Sequence, residues 1–297
     1  MNDKKLNDLV GRFSERGKVD ADDDVLRMID GLDDEPPATP PNKMPRGAKE
    51  RSEQDQLPLW PMATRGVPNA VLRSALFGVV QKGRRKHCNE MEVPSVGGLK
   101  VTFTGMRLDQ GDLDVWEQCL SLAKENGLGE RIEFTANSFL RSVDRKTGNS
   151  QHIWLRQSLK RLNAAQVEIS DKGRAYFGTL IQDGYRDDET GHYVINLNPK
   201  LSRLYGQNHW TQVQWDERHA LKRPLSQWLH GFYSSHKEPF PIKTETLLWL
   251  CGSETKDLRR FRQSLGLALK EVQAVTDWKC WIGKDDKINV ARPRRIK

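Results

Sequence analysis

Thr244-Glu-Thr-Leu-Leu-Trp-Leu-Cys-Gly-Ser-Glu-Thr-Lys-Asp-Leu-Arg-Arg-Phe-Arg-Gln-Ser-Leu-Gly-Leu-Ala-Leu-Lys-Glu-Val-Gln-Ala-Val275 reads as two helices with a tight break between them. Gly252 ends the first, Thr244–Leu250, and Ser253 is placed to cap the second, predicted over Glu254–Val275. Leu258, Phe261, Leu265, Ala268, Leu269 and Val272 recur at helical spacing and predict one buried stripe. Lys256, Arg259, Arg260, Arg262 and Gln263 are left facing outward near the N-terminal end. Downstream, Trp278–Ile282 and Ile288–Ala291 flank the polar Gly283-Lys-Asp-Asp-Lys287, which predicts a hairpin. Upstream lie a predicted helix, Glu217–Ser234, and a short strand, Phe240–Ile242. Helix, strand, helix, helix, hairpin is the order of a winged helix, in which the second helix of the pair enters the major groove. Arg grips guanine and Gln grips adenine through two hydrogen bonds, so the outward set predicts base contacts. Lys284 and Lys287 on the hairpin tip predict phosphate contacts. The bland alternative is a solvated helix face; the cluster's place on the second helix favours DNA.

The same order appears earlier in the chain. Asn69 is placed to cap a helix over Ala70–Val80, and Leu99–Leu108 alternates as a strand. A helix over Asp109–Asn126 carries Leu113, Trp116, Leu120 and Ala123 on one stripe. Strand Arg131–Thr135 and helices Ala136–Val143 and Ser150–Ala164 follow. Then come strand Ala165–Ser170 and a hairpin of Arg174–Gln182 with His192–Leu197 around Asp187–Gly191. The expected class is therefore α+β: two tandem winged-helix domains, 62–205 and 206–297, preceded by a disordered arm over 1–55. Arg156 and Lys160, with Asn163, line the outer face of the longer helix in the first domain. Groove contact and dimerisation stand level there. Arg84-Arg85-Lys86 reads as a solvated loop. Trp116, Trp228 and Trp249 fall on core stripes, so the nine tryptophans are not read as a platform for single strands.

Charge points the same way. Residues 1–55 hold 10 Lys/Arg against 14 Asp/Glu, a balance of −4, which leaves +12 on the rest of a chain whose net charge is +8. A basic body behind an acidic leader points to a polyanionic partner, most often nucleic acid. The sequence has no apolar run long enough to span a bilayer, and a cytoplasmic protein is expected. Cys88, Cys119, Cys251 and Cys280 are widely spaced and read as reduced thiols rather than metal ligands. Gly173-Arg-Ala-Tyr-Phe-Gly178 lacks the Lys-Ser/Thr of a phosphate loop, and no His-x-His pair is present to hold a nicking metal. Neither an enzyme nor a cofactor is expected.

Gln56-Leu-Pro-Leu-Trp60 ends the charged, proline-dotted leader. An apolar cluster there suits an extended peptide that drops alternate side chains into a partner's groove. Its rival is that the cluster begins the folded domain and packs on its own core.

Gln56-Leu-Pro-Leu-Trp-Pro61, Val67-Pro-Asn-Ala-Val-Leu-Arg-Ser-Ala-Leu-Phe77 and Leu108-Asp-Gln-Gly-Asp-Leu-Asp-Val-Trp116 resemble the TrfA family, the replication initiators of broad-host-range IncP-type plasmids. The resemblance runs over about residues 56–297 and is most specific in its first third. It implies two winged-helix domains, binding of double-stranded iteron repeats at the origin, and opening of a neighbouring AT-rich segment whose single strands are a second candidate partner. It implies host DnaA, the replicative helicase and the sliding clamp as partners, and an equilibrium between monomers and dimers. The family's clamp peptide, Gln-Leu-Ser-Leu-Phe in form, maps onto Gln56, Leu57, Leu59 and Trp60, with departures at Pro58 and Trp60. The alternative class is a tandem winged-helix transcriptional repressor, which needs no such peptide.

Overall fold

Two hydrophobic cores lie in succession along the chain, one drawing on Leu57 through Trp215 and the other on Leu221 through Val290. The computed structural model describes residues 57–80, 83, 85–124, 128, 131–171, 174–187, 189–206 and 208–293. The expected disordered arm and Gln56 lie outside these residues. The cores meet between residues 215 and 221, not at the expected boundary of 205 and 206. Strand β11 (Trp210–Gln214) is the reason: it pairs antiparallel with β1 (Thr64–Pro68), Thr64 opposite Gln214 and Pro68 opposite Trp210.

After β1 the chain makes a single helical turn, α1 (Asn69–Leu72). The helix expected over Ala70–Val80 stops there because the following backbone groups bond elsewhere. Ala75 N–H donates to the Pro94 carbonyl and Val79 N–H to the Cys251 carbonyl, both at 2.8 Å. Asn69 caps nothing; its amide donates to Asn208 O and accepts from the Thr211 hydroxyl. Between these groups β2 (Phe77–Gly78) runs parallel to β5 (Leu108–Asp109). Strands β3 (His87–Glu92), β4 (Lys100–Met106), β7 (Gln166–Asp171) and β8 (Arg174–Thr179) form an antiparallel sheet in that order. A second sheet has the order β6 (Arg131–Thr135), β10 (His192–Asn196), β9 (Asp183–Arg186). The strand expected over Arg174–Gln182 is thus broken, and the hairpin around Asp187–Gly191 uses β9 instead. The break falls where Gly178 takes φ of +152° and buried Leu180 and Ile181 turn the chain into the core.

Helices α2 (Gln110–Ala123), α3 (Ala136–Ser142) and α4 (Asn149–Ala164) complete the first half. Asp109 caps α2 reciprocally with Asp112, each carboxylate accepting the other's backbone N–H at 3.0 and 3.1 Å. Asp112 is fully buried and also gathers Ser158 (2.6 Å), Arg161 (2.7 Å) and Arg85 (2.9 Å). Arg85 is therefore a structural counterion rather than a solvated loop residue. On another face of α2, Arg218 binds Asp114 at 2.7 Å and Gln110 at 3.0 and 3.1 Å, all buried.

Glu117 lies beside this cluster with Arg218 at 4.0 Å, and neither of its oxygens has a hydrogen-bond partner among the described residues. Burial outweighs the attraction of Arg218, so its carboxyl is pushed up to about 7. A buried acid whose folded pKa exceeds its unfolded one binds more protons folded than unfolded. Its stabilising contribution is present at low pH and lost as pH rises from about 4.5 through 7. Glu117→Gln is expected to remove that slope, with a stability closer to wild type near pH 5 and greater than wild type near pH 8, by an amount on the order of 3 kcal/mol. Thermal melts of both proteins across that range test this.

The second half begins where α5 (Trp215–Ala220) gives way to α6 (Pro224–Ser234). The single helix expected over Glu217–Ser234 is divided because Pro224 has no N–H to continue it and sits instead in a first turn. Strand β12 (Ile242–Lys243), helices α7 (Thr244–Leu250) and α8 (Leu258–Val275), and strands β13 (Lys279–Ile282) and β14 (Lys287–Ala291) follow, with sheet order β12-β14-β13. The halves are joined by polar bonds as well as apolar contact: Arg107 donates to Gly252 O at 2.8 Å and Trp228 Nε1 to Ser74 O at 3.3 Å. Trp116 and Trp228 are buried as expected, but Trp249 is half exposed, because Leu247 and Leu250 take the inward positions of α7. Among the described residues no helix is long and apolar enough to cross a membrane.

Candidate nucleic-acid interface

Helix α8 presents two unlike faces. Phe261, Leu265, Ala268, Leu269 and Val272 are buried, while Arg259, Arg260, Arg262 and Gln263 are exposed. The helix starts at Leu258 rather than Glu254. Asp257 is its cap, accepting from Arg259 N at 2.8 Å and Arg260 N at 3.4 Å. Lys256 consequently lies in the connecting segment before the helix, exposed, and not on the helix face. Lys256, Arg260 and Gln263, with Glu254, Thr255, Asp257 and Ser264, line an open cleft of about 530 Å³ at the start of α8.

Arg262 has another task. Its guanidinium grips Asp286 twice, Nε to Oδ1 at 3.0 Å and Nη2 to Oδ2 at 2.6 Å, tying α8 to the tip of the β13–β14 hairpin. Thr244 Oγ1 donates to the same carboxylate at 3.0 Å. The Arg262 bond, then the Thr244 bond, hold the Asp286 carboxyl below the usual range, and the same pairing raises Arg262. Arg262 thus positions the hairpin against α8 and is occupied in this structure. Lys284 is exposed at the tip, whereas Lys287 is partly buried and pairs with Asp285 at 3.5 Å. The Arg262–Asp286 pair spans 24 residues, and no local pattern signals it.

In the first half Arg156 and Lys160 are exposed on α4, opposite buried Leu155, Ser158, Leu159 and Leu162. Their neighbours are engaged structurally. Arg161 binds Asp112, Arg145 lies 3.5 Å over the Trp154 ring, and Asn163 donates to the Ile181 and Gln182 carbonyls.

The peptide at the head of the described chain is not free. Leu57 and Trp60 are each 4% exposed, whereas Leu59 is 80% exposed. Trp60 stacks on Tyr205 (centroids 6.1 Å apart, planes 13° apart) and packs against Trp210 at 6.1 Å. Two of the three expected apolar anchors are therefore part of the first core. The aromatic seat that takes Trp60 lies about 145 residues downstream, out of reach of any local reading.

The sequence pattern of the TrfA protein family matches residues 50–292. The plasmid replication initiator protein TrfA of Escherichia coli is 26% identical over 240 residues, which is 76% of this chain and 62% of that protein. RepFIB replication protein A of Escherichia coli is 29% identical over 159 residues, half of this chain and 49% of the relative. The chain thus spans less than two thirds of the length of either relative. In fold, it resembles the crystal structure of domains 2 and 3 of RctB, with a TM-score of 0.51 at 11% identity over 75% of this chain and 95% of the other.

Proposed function

The chain belongs to the TrfA protein family, and from that premise we propose that it is a plasmid replication initiator that binds iteron repeats at its origin. In this reading each half is a winged helix, α3 and α4 with the β9–β10 hairpin in the first and α7 and α8 with the β13–β14 hairpin in the second. The observation that carries it is the row Arg259, Arg260 and Gln263, exposed in the first turns of α8, together with Lys284, exposed on the tip of the hairpin that Arg262 ties to that helix. Guanidinium and amide groups at that end of a helix suit base edges, and the lysine suits phosphate. Arg156, Lys160 and the exposed Lys256 add sequence-independent attraction. Opening of the origin, association with DnaA, the helicase and the sliding clamp, a monomer–dimer equilibrium, a cytoplasmic setting and the lack of any catalytic step of its own complete the proposal.

One observation favours the rival repressor. With Leu57 and Trp60 packed in the core, the clamp peptide that separates the two readings is not on offer in the docked conformation. A plasmid carrying only this gene and its cognate origin separates them. An initiator maintains that plasmid in a bacterial host, while a repressor binds the origin in a gel-shift assay and leaves the plasmid to be lost.

A further inference from the structure

The seat of Trp60 is close but incomplete. The indole packs against β1, where a Cβ on Gly66 would fall within 2.9 Å of three of its ring carbons. Lys124 Nζ donates to the Trp60 carbonyl at 3.1 Å and lies 5.7 Å from the ring. Yet Trp60 Nε1 is buried without a hydrogen-bond partner among the described residues, which costs stability relative to a satisfied donor. Residues 57–60 have neither helix nor strand, and among the described residues Lys124 supplies their one hydrogen bond to the body. Peeling them away breaks no strand pairing, since β1 starts only at Thr64.

We propose that this seat is a latch. Residues 57–60 exchange between a docked state, with Trp60 on Gly66, Tyr205 and Trp210, and a released state in which Leu57, Leu59 and Trp60 all face a partner with an apolar peptide groove. The inference rests on the reading of Gln56–Trp60 as the sliding-clamp peptide. The same two side chains cannot fill both sites, so partner binding and docking compete, and the apparent affinity is the intrinsic one scaled by the released fraction. Capture of the peptide by the clamp also uncovers the Tyr205–Trp210 face.

Gly66→Ala tests the latch. Gly66 lies in β1 without a left-handed backbone that would itself forbid a side chain, so the substitution acts by crowding the indole. Lys124→Ala is the milder second variant, removing the hydrogen bond and adding no bulk. Binding to a purified bacterial sliding clamp is measured for a synthetic peptide of residues 52–64, for wild type and for both variants, alongside thermal melts. The peptide should bind best and wild type weakly, Gly66→Ala should gain roughly tenfold over wild type, and Lys124→Ala should gain less. Should Gly66→Ala fail to melt cooperatively, Lys124→Ala alone decides. If the peptide binds but the folded variants do no better than wild type, or wild type matches the peptide, the latch is wrong and the clamp reading stands. If the peptide itself does not bind, the clamp reading fails and the latch with it.

Discussion

Arg218→Ala is expected to be the most damaging single substitution in the molecule, lowering stability by about 3–5 kcal/mol, as when one partner of a buried ion pair is removed. The guanidinium is fully buried and bonds Asp114 at 2.7 Å, the Gln110 side chain at 3.1 Å and the Gln110 carbonyl at 3.0 Å, with Glu117 at 4.0 Å. Truncation leaves two carboxylates below the surface with no cation in direct contact. Lysine should not rescue, because a single ammonium cannot reproduce the fork that meets α2 at three points. Asp114→Asn added to Arg218→Ala should recover part of the loss, since it removes one stranded charge. Urea denaturation followed by circular dichroism reads all three proteins, and an Arg218→Ala midpoint equal to wild type would discard this account of how α5 is fixed to α2.

The second large effect is on DNA. An Arg259→Ala/Arg260→Ala variant should lose on the order of 2–6 kcal/mol of iteron binding if each arginine reads a base, and Gln263→Ala a further 1–3 kcal/mol. Its stability should hardly change, because these side chains lie opposite the buried stripe of α8. Lys284→Ala should instead weaken specific and random DNA alike and reduce the slope of log K against log salt by about 0.9. Fluorescence anisotropy with iteron and scrambled duplexes at several salt concentrations distinguishes the two patterns. Equal losses on both duplexes for the double arginine variant would reduce α8 to a phosphate-binding helix.

Much of this was legible where a periodic apolar pattern meets an ordinary core. The stripe Phe261, Leu265, Ala268, Leu269 and Val272, the helices over 110–123 and 149–164, and the hairpin of β13 and β14 follow from spacing alone. Strand β3 did not show itself, because only Cys88 and Met91 of His87–Glu92 reach the core, each partly buried, and the rest is held by backbone pairing to β4. Charges misled for a different reason. Arg85 and Arg161 have the look of surface residues, yet both converge on Asp112, 27 and 49 residues away, and only the fold reveals the counterion. Arg262 belongs with them: its sequence position fits a base-reading face, and its partner on the hairpin tip gives it a structural task that the sequence does not show. The burial of Leu57 and Trp60 was hidden for the opposite reason. The polar leader before them hides the fact that the aromatic residues completing the seat of Trp60 come from the far end of the same half.

The clasp between β1 and β11 has a consequence for a chain still being made. Thr64 is paired with Gln214, and the Tyr205 hydroxyl reaches back 139 residues to the Gly66 carbonyl. At translation rates of about 5–20 residues per second, those partners follow β1 by an interval on the order of ten seconds. For that time the entry strand has no strand partner and Trp60 has neither Tyr205 nor Trp210 to rest on. The first half therefore closes late, as its own C-terminal strand emerges, and not progressively from the N-terminus. Every newborn molecule passes through an interval in which the peptide at residues 57–60 is open to whatever the ribosome's surroundings offer, before the fold shuts it away.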